Sequence, residues 1–348
     1  MEQTQTPLGF PIETLAIFIA LSVAALLIDL FAHRSDKPIS LKSATLWSLF
    51  WVAISLGFAA FLYVHHDAET ATLFITGYAL EKVLSVDNLF VIMAIFAWFK
   101  IPDIYRHRIL YLGVIGAIVF RGIFVAIGTE LLALGPWVEI VFAIIVAFTA
   151  IMMLKNKDED EEIKDYSDHL ANRLVRKFFP VFPKIVGHRF FLSSNTVIEE
   201  LQKPENSNLK VMVKKGAIYA TPLLLCLAVI ELSDLMFAFD SVPAIIAVSR
   251  EPLIVYSAMM FAILGLRTLY FVLEALRKYL VHLEKAVIFL LFFVAFKLGL
   301  NAANHIWHFG YEIKPTWSLY VVLIVLALGI LASFIFPDKN KSTDNAAS

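Results

Sequence analysis

Cysteine, charge and enzyme motifs are all scarce in this sequence. Its 348 residues include one cysteine, Cys226, which excludes a disulfide framework within the chain. Charged residues make up 17% of the chain and the formal net charge is −1, so the sequence lacks the basic excess typical of nucleic-acid binding. It has no glycine-rich phosphate loop, nucleophile motif or metalloprotease motif, and we therefore expect neither enzyme activity nor a bound cofactor.

Apolar residues are abundant instead. They make up 59% of the chain and include 30 phenylalanines, whereas soluble domains average about 45–50% apolar residues. Such an excess is typical of a protein embedded in a lipid bilayer. The first basic residues, Arg34 and Lys37, follow the first apolar run. A secretory signal has the opposite order, so the sequence predicts a retained membrane span and not a cleaved peptide.

The apolar residues are grouped in runs long enough to cross a bilayer. A transmembrane helix needs about 20 mainly apolar residues. On this criterion the sequence predicts an all-α, polytopic membrane protein with about nine spans. The predicted spans are residues 12–32, 44–64, 71–97, 109–128, 134–154, 216–248, 253–274, 283–300 and 316–336.

Basic residues predict how these spans are oriented. Lys and Arg are concentrated in alternate connections, whereas the connections on the opposite side hold only Arg250 and Lys314. Because basic connections stay in the cytoplasm, the N-terminus is predicted outside and the C-terminus inside. The one long connection, 155–215, is then cytoplasmic. Its acidic run at 158–162 is either a solvated loop or a mouth that concentrates cations, and an amphipathic stretch follows at 169–179.

Acidic residues lie deep inside two predicted spans, where one charged side chain costs at least ~2.5 kcal/mol. The third and sixth spans share a motif, which consists of an acid, five residues, an aspartate and a small polar residue. The motif residues are Glu81, Asp87 and Asn88 in the third span, and Asp234, Asp240 and Ser241 in the sixth. This repetition indicates two copies of one structural unit.

The helices after each motif continue the repetition. The next span contains one deep arginine, Arg121 or Arg267, and the span after that begins near a glutamate, Glu139 or Glu284. Spans 3–5 and 6–8 are therefore predicted to be two three-helix repeats. Because three crossings are an odd number, the repeats are inverted relative to each other, as in many secondary transporters whose substrate binds near the midplane.

These repeats divide the chain into six predicted parts. In order, they are two N-terminal spans (1–64), the first three-helix repeat (71–154), the cytoplasmic loop (155–215), the second repeat (216–300), the C-terminal span (316–336) and a cytoplasmic tail (337–348).

The shared motif predicts a site for a hard divalent cation, because all its donors are oxygen atoms and no His or Cys is proposed as a ligand. The predicted ligands are Glu81, Asp87, Asn88, Asp234, Asp240 and Ser241, with Asp29 and Glu231 as accessory acids. The predicted counter-charges or gates are Lys82, Arg121, Arg267 and Lys297. Protons would compete with the metal ion for these acids. The alternative is that the acids and bases only pair with one another to hold the bundle together.

Proline in the sixth span allows two structures. Pro243 removes an amide donor and displaces the carbonyl of Phe239, which is next to Asp240. A helix broken there would place carbonyl oxygens beside carboxylates, as in the ion sites of transporters. The alternative is a simple kink that packs against neighbouring helices.

Several motifs resemble those of the TerC family, in particular its Alx branch. They are Glu81-Lys-Val-Leu-Ser-Val-Asp-Asn-Leu-Phe-Val, Glu231-Leu-Ser-Asp, Phe239-Asp-Ser-Val-Pro-Ala-Ile and Phe261-Ala-Ile-Leu-Gly-Leu-Arg. The resemblance implies a protein of the bacterial inner membrane that exports manganese and responds to pH or metal stress. The residues alone leave open a calcium or general divalent exporter, an amino-acid exporter, and a non-transporting scaffold for tellurite or metal stress. Partners other than the bilayer and the metal ion are not predicted.

Overall fold

The protein folds as a helical bundle. The computed structural model describes residues 11–32, 40–155, 166, 169–206, 208–209, 211–276, 282–308 and 313–335. The predicted acidic run at 158–162 and the predicted tail at 337–348 lie outside the described residues.

Helices account for almost all the regular structure in the described ranges. In chain order they are α1 (Ile12–Ala32), α2 (Leu41–His65), α3 (Ala68–Trp98), α4 (Asp103–Leu132), α5 (Pro136–Lys155), α6 (Leu170–Phe178), α7 (Ser194–Leu201), α8 (Pro222–Ile246), α9 (Pro252–Ile263), α10 (Leu266–Leu276), α11 (Leu283–Trp307) and α12 (Pro315–Ile335). The two short strands are β1 (Phe191–Ser193) and β2 (Ile218–Ala220).

Most of these helices have the length and composition of membrane spans. Seven of the described helices are long and apolar enough to cross a membrane singly, and α9 with α10 forms one further candidate span that is bent by 53°. α3 has 31 residues, about 46 Å at the helical rise, but Glu81, Lys82 and Asp87 in its middle make it less apolar. With α3, the described chain has nine elements of membrane length. The predicted all-α, polytopic membrane fold is confirmed.

Local sequence signals mark where several of these helices begin. Four of them, α5, α8, α9 and α12, start at a proline, a position whose N–H has no partner within the helix in any case. α3 starts after Asp67, whose carboxylate accepts a hydrogen bond from the Thr70 N–H at 2.6 Å. This cap satisfies one free donor of the first turn. Proline and aspartate therefore mark where these five helices begin.

The two three-helix units pack in a reciprocal pattern. α3 contacts α9, α4 contacts α8, and α5 contacts α11. The first unit consists of α3, α4 and α5, and the second consists of α8, the bent pair α9 and α10, and α11. The first helix of each unit thus contacts the second element of the other unit, and the last helices of the two units contact each other. A two-fold relation between the units produces this pattern, as expected of inverted repeats. α3 also contacts α2, α8 and α12, so it occupies the centre of the bundle.

The sixth span is not broken at Pro243. α8 continues through this proline to Ile246, so the first of the two alternatives for the sixth span is wrong. Because Pro243 lies in the last turn, the hydrogen bond that it removes is close to the helix end, where the loss is tolerated. The helix of the sixth span also starts later than the predicted residue 216. Ile218–Ala220 form strand β2, and α8 begins only at Pro222.

A break occurs instead in the seventh span, between α9 and α10. Gly265 lies at the break with φ +77°, in the left-handed region that favours glycine. A Cβ atom at this position would lie only 2.5 Å from Cδ1 of Trp51 on α2. The bend therefore depends on a residue that both adopts this conformation and leaves room for the tryptophan ring.

The long connection contains a small folded unit. β1 and β2 pair antiparallel, with Leu192 opposite Tyr219. Phe182, Leu192, Val197 and Tyr219 are buried together as its core. α6 precedes this unit in the chain and packs against α8, so part of the connection lies directly against the helical bundle.

Candidate functional site

Acids from the two repeats meet at one arginine inside the bundle. Arg121 of α4 forms an ion pair with Glu81 of α3, and its Nη2 donates a hydrogen bond to Oδ1 of Asp234 on α8 at 3.1 Å. Glu81 and Arg121 are fully buried, and Asp234 is largely buried. Because α3 belongs to the first repeat and α8 to the second, this cluster lies at the junction of the two units.

Neighbouring groups complete this cluster. Ser85, one turn after Glu81, donates its hydroxyl to Oε1 of Glu81 at 3.2 Å. Glu231, one turn before Asp234, interacts electrostatically with Asp234. The carboxylate of Glu231 packs so closely on Gly116 of α4 that a Cβ atom there would overlap it. The cluster thus contains three carboxyl groups and one guanidinium. With every group ionised, its formal net charge is −2.

Several oxygen atoms at this cluster lack hydrogen-bond partners within the described parts of the chain. They are Oε2 of Glu81, Oε2 of Glu231 and Oδ2 of Asp234. A buried carboxylate oxygen without a partner costs free energy, and such atoms in native proteins often bind water or an ion. These oxygens can therefore accept protons without first breaking a hydrogen bond, whereas a metal ion would require the carboxylates to move closer together.

The predicted metal ligands do not form a single shell in this structure. Among the described residues, no three His, Cys, Asp or Glu side chains are grouped so that they could hold a metal ion. Asp87 faces another side of α3 than Glu81, because the two residues are six apart, and the acid Glu284 of α11 lies close enough to repel it. The side chain of Asp240 lies outside what the structure describes.

The two small polar members of the motifs are both buried. Nδ2 of Asn88 and Oγ of Ser241 have no hydrogen-bond partner in the described ranges. Each follows its aspartate directly in the sequence. They remain predicted ligands whose polar atoms are available for a further interaction.

The second deep arginine has a different partner from the first. Arg267 of α10 donates to Oδ1 of Asp29 at 2.9 Å and to the main-chain oxygen of Asp29 at 2.7 Å. Both side chains are buried. Arg121 and Arg267 occupy equivalent places in the sequence repeat, but Arg267 pairs with α1, outside the repeats. Asp29 therefore lies at a separate ion pair and not beside Glu81 and Asp234.

The deep lysines bind polar groups instead of acids. Lys82 donates from Nζ to the carbonyl oxygens of Ala262 at 2.8 Å and Leu264 at 3.1 Å, at the break between α9 and α10. These carbonyls are free because the helix ends there, and a cation is favourable at a helix C-terminus. Lys297 of α11 donates to Oγ of Ser318 on α12 at 3.1 Å.

Two further ion pairs connect the repeats near the ends of the bundle, and the sequence did not predict them. Arg250, in the connection after α8, pairs with Glu139 in the first turn of α5, and His305 of α11 lies 3.5 Å from the same carboxylate. Near other helix ends, Arg106 in the first turn of α4 pairs with Glu274 in the last turn of α10 at 2.5 Å. The repeated glutamate at the start of the fifth span was the only sequence signal for the first of these pairs.

The comparison with protein families identifies the chain. Residues 66–341 match the integral membrane protein TerC family. The chain belongs to the TerC family. Together with the nine elements of membrane length, this makes it a multi-pass integral membrane protein, as the sequence motifs predicted.

Curated relatives cover nearly the whole TerC chain. The tellurium resistance protein TerC of Serratia marcescens is 72% identical over 98% of this chain and 99% of its own length. The tellurium resistance protein TerC of Alcaligenes sp is also 72% identical, over 96% of this chain and 97% of its own. The Alx protein of Photorhabdus laumondii is 32% identical over 94% of this chain and 96% of its own. The Alx branch is thus related, but less similar than these two proteins. No solved structure matches the chain.

Proposed function

We propose that this TerC protein is a secondary carrier that exports divalent manganese across the bacterial inner membrane. The observation that supports this function is the meeting of Glu81 and Asp234, one from each repeat, at the buried guanidinium of Arg121. A substrate site at the junction of two inverted repeats changes its access when the repeats move against each other. This movement would carry a bound ion from one side of the membrane to the other.

The charge of the cluster favours a cation. With all groups ionised, Glu81, Glu231 and Asp234 exceed Arg121 by two negative charges, which a divalent ion would balance. Carboxylate oxygens favour Mn²⁺, Mg²⁺ or Ca²⁺ over metals that prefer sulfur or imidazole. An oxyanion such as tellurite would be repelled by the same carboxylates. The preference for manganese among the hard cations rests on the resemblance to the TerC family.

Arg121 acts in this proposal as the cation that occupies the site between transport cycles. It pairs with both Glu81 and Asp234 while no metal ion is bound and offsets one of their two negative charges. An entering metal ion would take over the carboxylate oxygens and displace the guanidinium, and proton uptake by the acids would release the metal on the other side. Export is then proton-coupled. In the proposed orientation, the N-terminus is outside and the C-terminus is in the cytoplasm.

A second candidate function is a membrane scaffold for tellurium or metal stress that transports nothing. The names of the Serratia and Alcaligenes relatives, which describe tellurium resistance, favour it. In the carrier proposal, the same resistance would follow indirectly, from control of intracellular manganese.

Flux into inside-out vesicles separates these functions. We expect uptake of Mn²⁺ under an imposed pH gradient, with less uptake of Ca²⁺ and Mg²⁺ and none of tellurite. Glu81→Gln and Asp234→Asn should reduce Mn²⁺ uptake to that of vesicles without the protein. Glu69→Gln is the matched control, because Glu69 lies on the same helix as Glu81 but is exposed in its first turn. Faster uptake of Ca²⁺ than of Mn²⁺ would favour the calcium exporter, and no flux of any ion would favour the scaffold.

A further inference from the structure

The amphipathic stretch of the long connection forms α6, and one side of this helix exposes large apolar residues. Leu170 is 63% exposed, Leu174 52% and Phe178 70%. They follow one another at intervals of four residues, so they lie within an arc of about 80° on the helix. Three such side chains in a continuous stripe indicate a surface that contacts something other than water.

The remaining sides of α6 divide into a buried side and a basic side. Ala171 and Asn172 are buried and face the protein. Arg173 and Lys177 are exposed and lie within about 60° of Leu170, beyond the apolar stripe and on the side away from the buried residues. The apolar stripe therefore runs between the part of α6 that packs on the protein and a cationic edge.

The position of α6 places this stripe next to membrane-spanning helices. α6 packs against α8, and Asn172 donates from Nδ2 to the carbonyl of Tyr166 at 2.6 Å. The ring of Tyr166 packs edge-on against Trp98, the last residue of α3, with centroids 5.9 Å apart. Trp and Tyr are enriched at the boundary between lipid and water. α6 thus lies at the level where α3 ends, on the side predicted to be cytoplasmic.

We propose that α6 binds the surface of the cytoplasmic leaflet and that its ligand is anionic phospholipid. Leu170, Leu174 and Phe178 insert at the boundary of the acyl chains, and Arg173 and Lys177 contact the phosphate groups. An apolar stripe with an adjacent cationic edge is the pattern of helices that lie in the membrane interface. Cationic residues near the cytoplasmic leaflet are attracted by its negative surface potential. This charge match favours an anionic bilayer over a second protein as the occupant of the stripe.

Lipid binding by α6 would hold the long connection in place. α6 precedes the β1–β2 unit in the chain and contacts α8, which contains Asp234. Attachment of α6 to the bilayer would therefore keep the folded part of the connection at the end of the span that contributes to the central cluster. This inference does not depend on which ion is transported.

Site-specific labelling in lipid vesicles tests the proposal. A polarity-sensitive fluorophore is attached to Leu174→Cys, and to Met212→Cys as a control in the same connection. Met212 is 90% exposed and lies outside α6. Wild-type protein shows whether the buried Cys226 reacts at all. Each labelled protein is reconstituted in vesicles of phosphatidylglycerol with phosphatidylethanolamine, and in phosphatidylcholine vesicles, with spin-labelled lipids as quenchers.

We expect the fluorophore at residue 174 to emit at shorter wavelength than that at residue 212, and to be quenched several-fold more strongly by the lipid spin labels. Replacing Arg173 and Lys177 by Gln should reduce this quenching in phosphatidylglycerol vesicles, and high salt should have the same effect on the unsubstituted helix. Equal quenching at residues 174 and 212 would overturn the proposal. It would also be overturned by a shift at residue 174 that persists in lipid-free detergent and grows with protein concentration, since this indicates contact between two copies of the chain.

Discussion

Asp29 and Arg267 form a buried ion pair that joins the first span to the second half of the broken span. Nη2 of Arg267 lies 2.9 Å from Oδ1 of Asp29 and also donates a hydrogen bond to the main-chain oxygen of Asp29. Two helices that are distant in sequence are thereby connected by a buried pair near the end of α1, separate from the cluster at Arg121. The geometry indicates a structural role for Asp29 instead of the predicted accessory role at the metal site.

We expect Arg267→Ala to destabilise the protein by roughly 3–5 kcal/mol, because it leaves the carboxylate of Asp29 buried without its counter-charge. Asp29→Asn with Arg267→Met should recover part of this loss, since neither charge then remains. Thermal unfolding of the purified protein in detergent measures both variants. If Asp29→Asn alone unfolds at the wild-type temperature but abolishes Mn²⁺ uptake, Asp29 acts on the ion and the structural role is wrong.

Gly265 should be intolerant of a side chain. Gly265→Ala places a Cβ atom against Trp51 in a backbone conformation with positive φ, and we expect it to cost about 1–3 kcal/mol of stability. Gly299→Ala is the control, because Gly299 lies within α11 and no atom comes within 4 Å of the added Cβ. Chemical denaturation in detergent should separate the two variants. Equal stability would mean that the bend does not require glycine.

Gly116 should influence the central cluster through Glu231. A Cβ atom in Gly116→Ala overlaps the Glu231 carboxylate and must displace it, whereas the Cβ atom in Gly113→Ala meets Ile230 at an ordinary 3.6 Å. The two glycines lie one turn apart on the same helix. For a divalent carrier, we expect Gly116→Ala to weaken Mn²⁺ affinity roughly 10–100-fold, as changes beside metal ligands commonly do. Gly113→Ala should leave the Mn²⁺ affinity unchanged.

Concentration-dependent Mn²⁺ uptake in vesicles measures this difference between the glycine variants. Equal affinities would exclude the Glu231 carboxylate from the transport site. Comparable amounts of each variant in the membrane, determined by immunoblot, control for insertion.

The predicted orientation can be tested with single cysteines. Lys314 and Met212 are exposed in connections assigned to opposite sides of the membrane. A membrane-impermeant maleimide should label Lys314→Cys in spheroplasts, and it should label Met212→Cys only in inside-out vesicles. Wild-type protein, whose Cys226 is buried, should remain unlabelled in both. The reverse pattern would invert the topology and with it the proposed direction of export.

The sequence predicted the spans well because apolar length is a local property. The bend in the seventh span was missed, since Gly265 lies within a mainly apolar run that has the length of one span, whereas Pro243 was the more conspicuous candidate. Proline removes one hydrogen bond, which is tolerated near the end of α8. Gly265 instead permits a backbone conformation that the packing of Trp51 requires, and this contact with α2 is not visible in the local sequence.

The sequence predicted which charged residues lie inside the bundle better than it predicted which of them form ion pairs with one another. The repeat correctly singled out Arg121 and Arg267 as deep residues, but equal places in a repeat do not imply equal partners. Asp29 in α1, which has no counterpart in the repeat, takes Arg267, whereas Arg121 is shared by Glu81 and Asp234. The choice of partner depends on how the helices pack in three dimensions, and a single sequence contains little information about that.

Glu81 and Lys82 are neighbours on α3, but their side chains bind different parts of the bundle. Glu81 pairs with Arg121, and Lys82 binds the free carbonyls of Ala262 and Leu264. Neither residue can move far without the other, because they share one turn of a continuous helix. A rotation or shift of α3 that separates Glu81 from Arg121 must therefore also weaken the bonds of Lys82 at the break between α9 and α10. The two changes are coupled because Glu81 and Lys82 are adjacent residues of one helix.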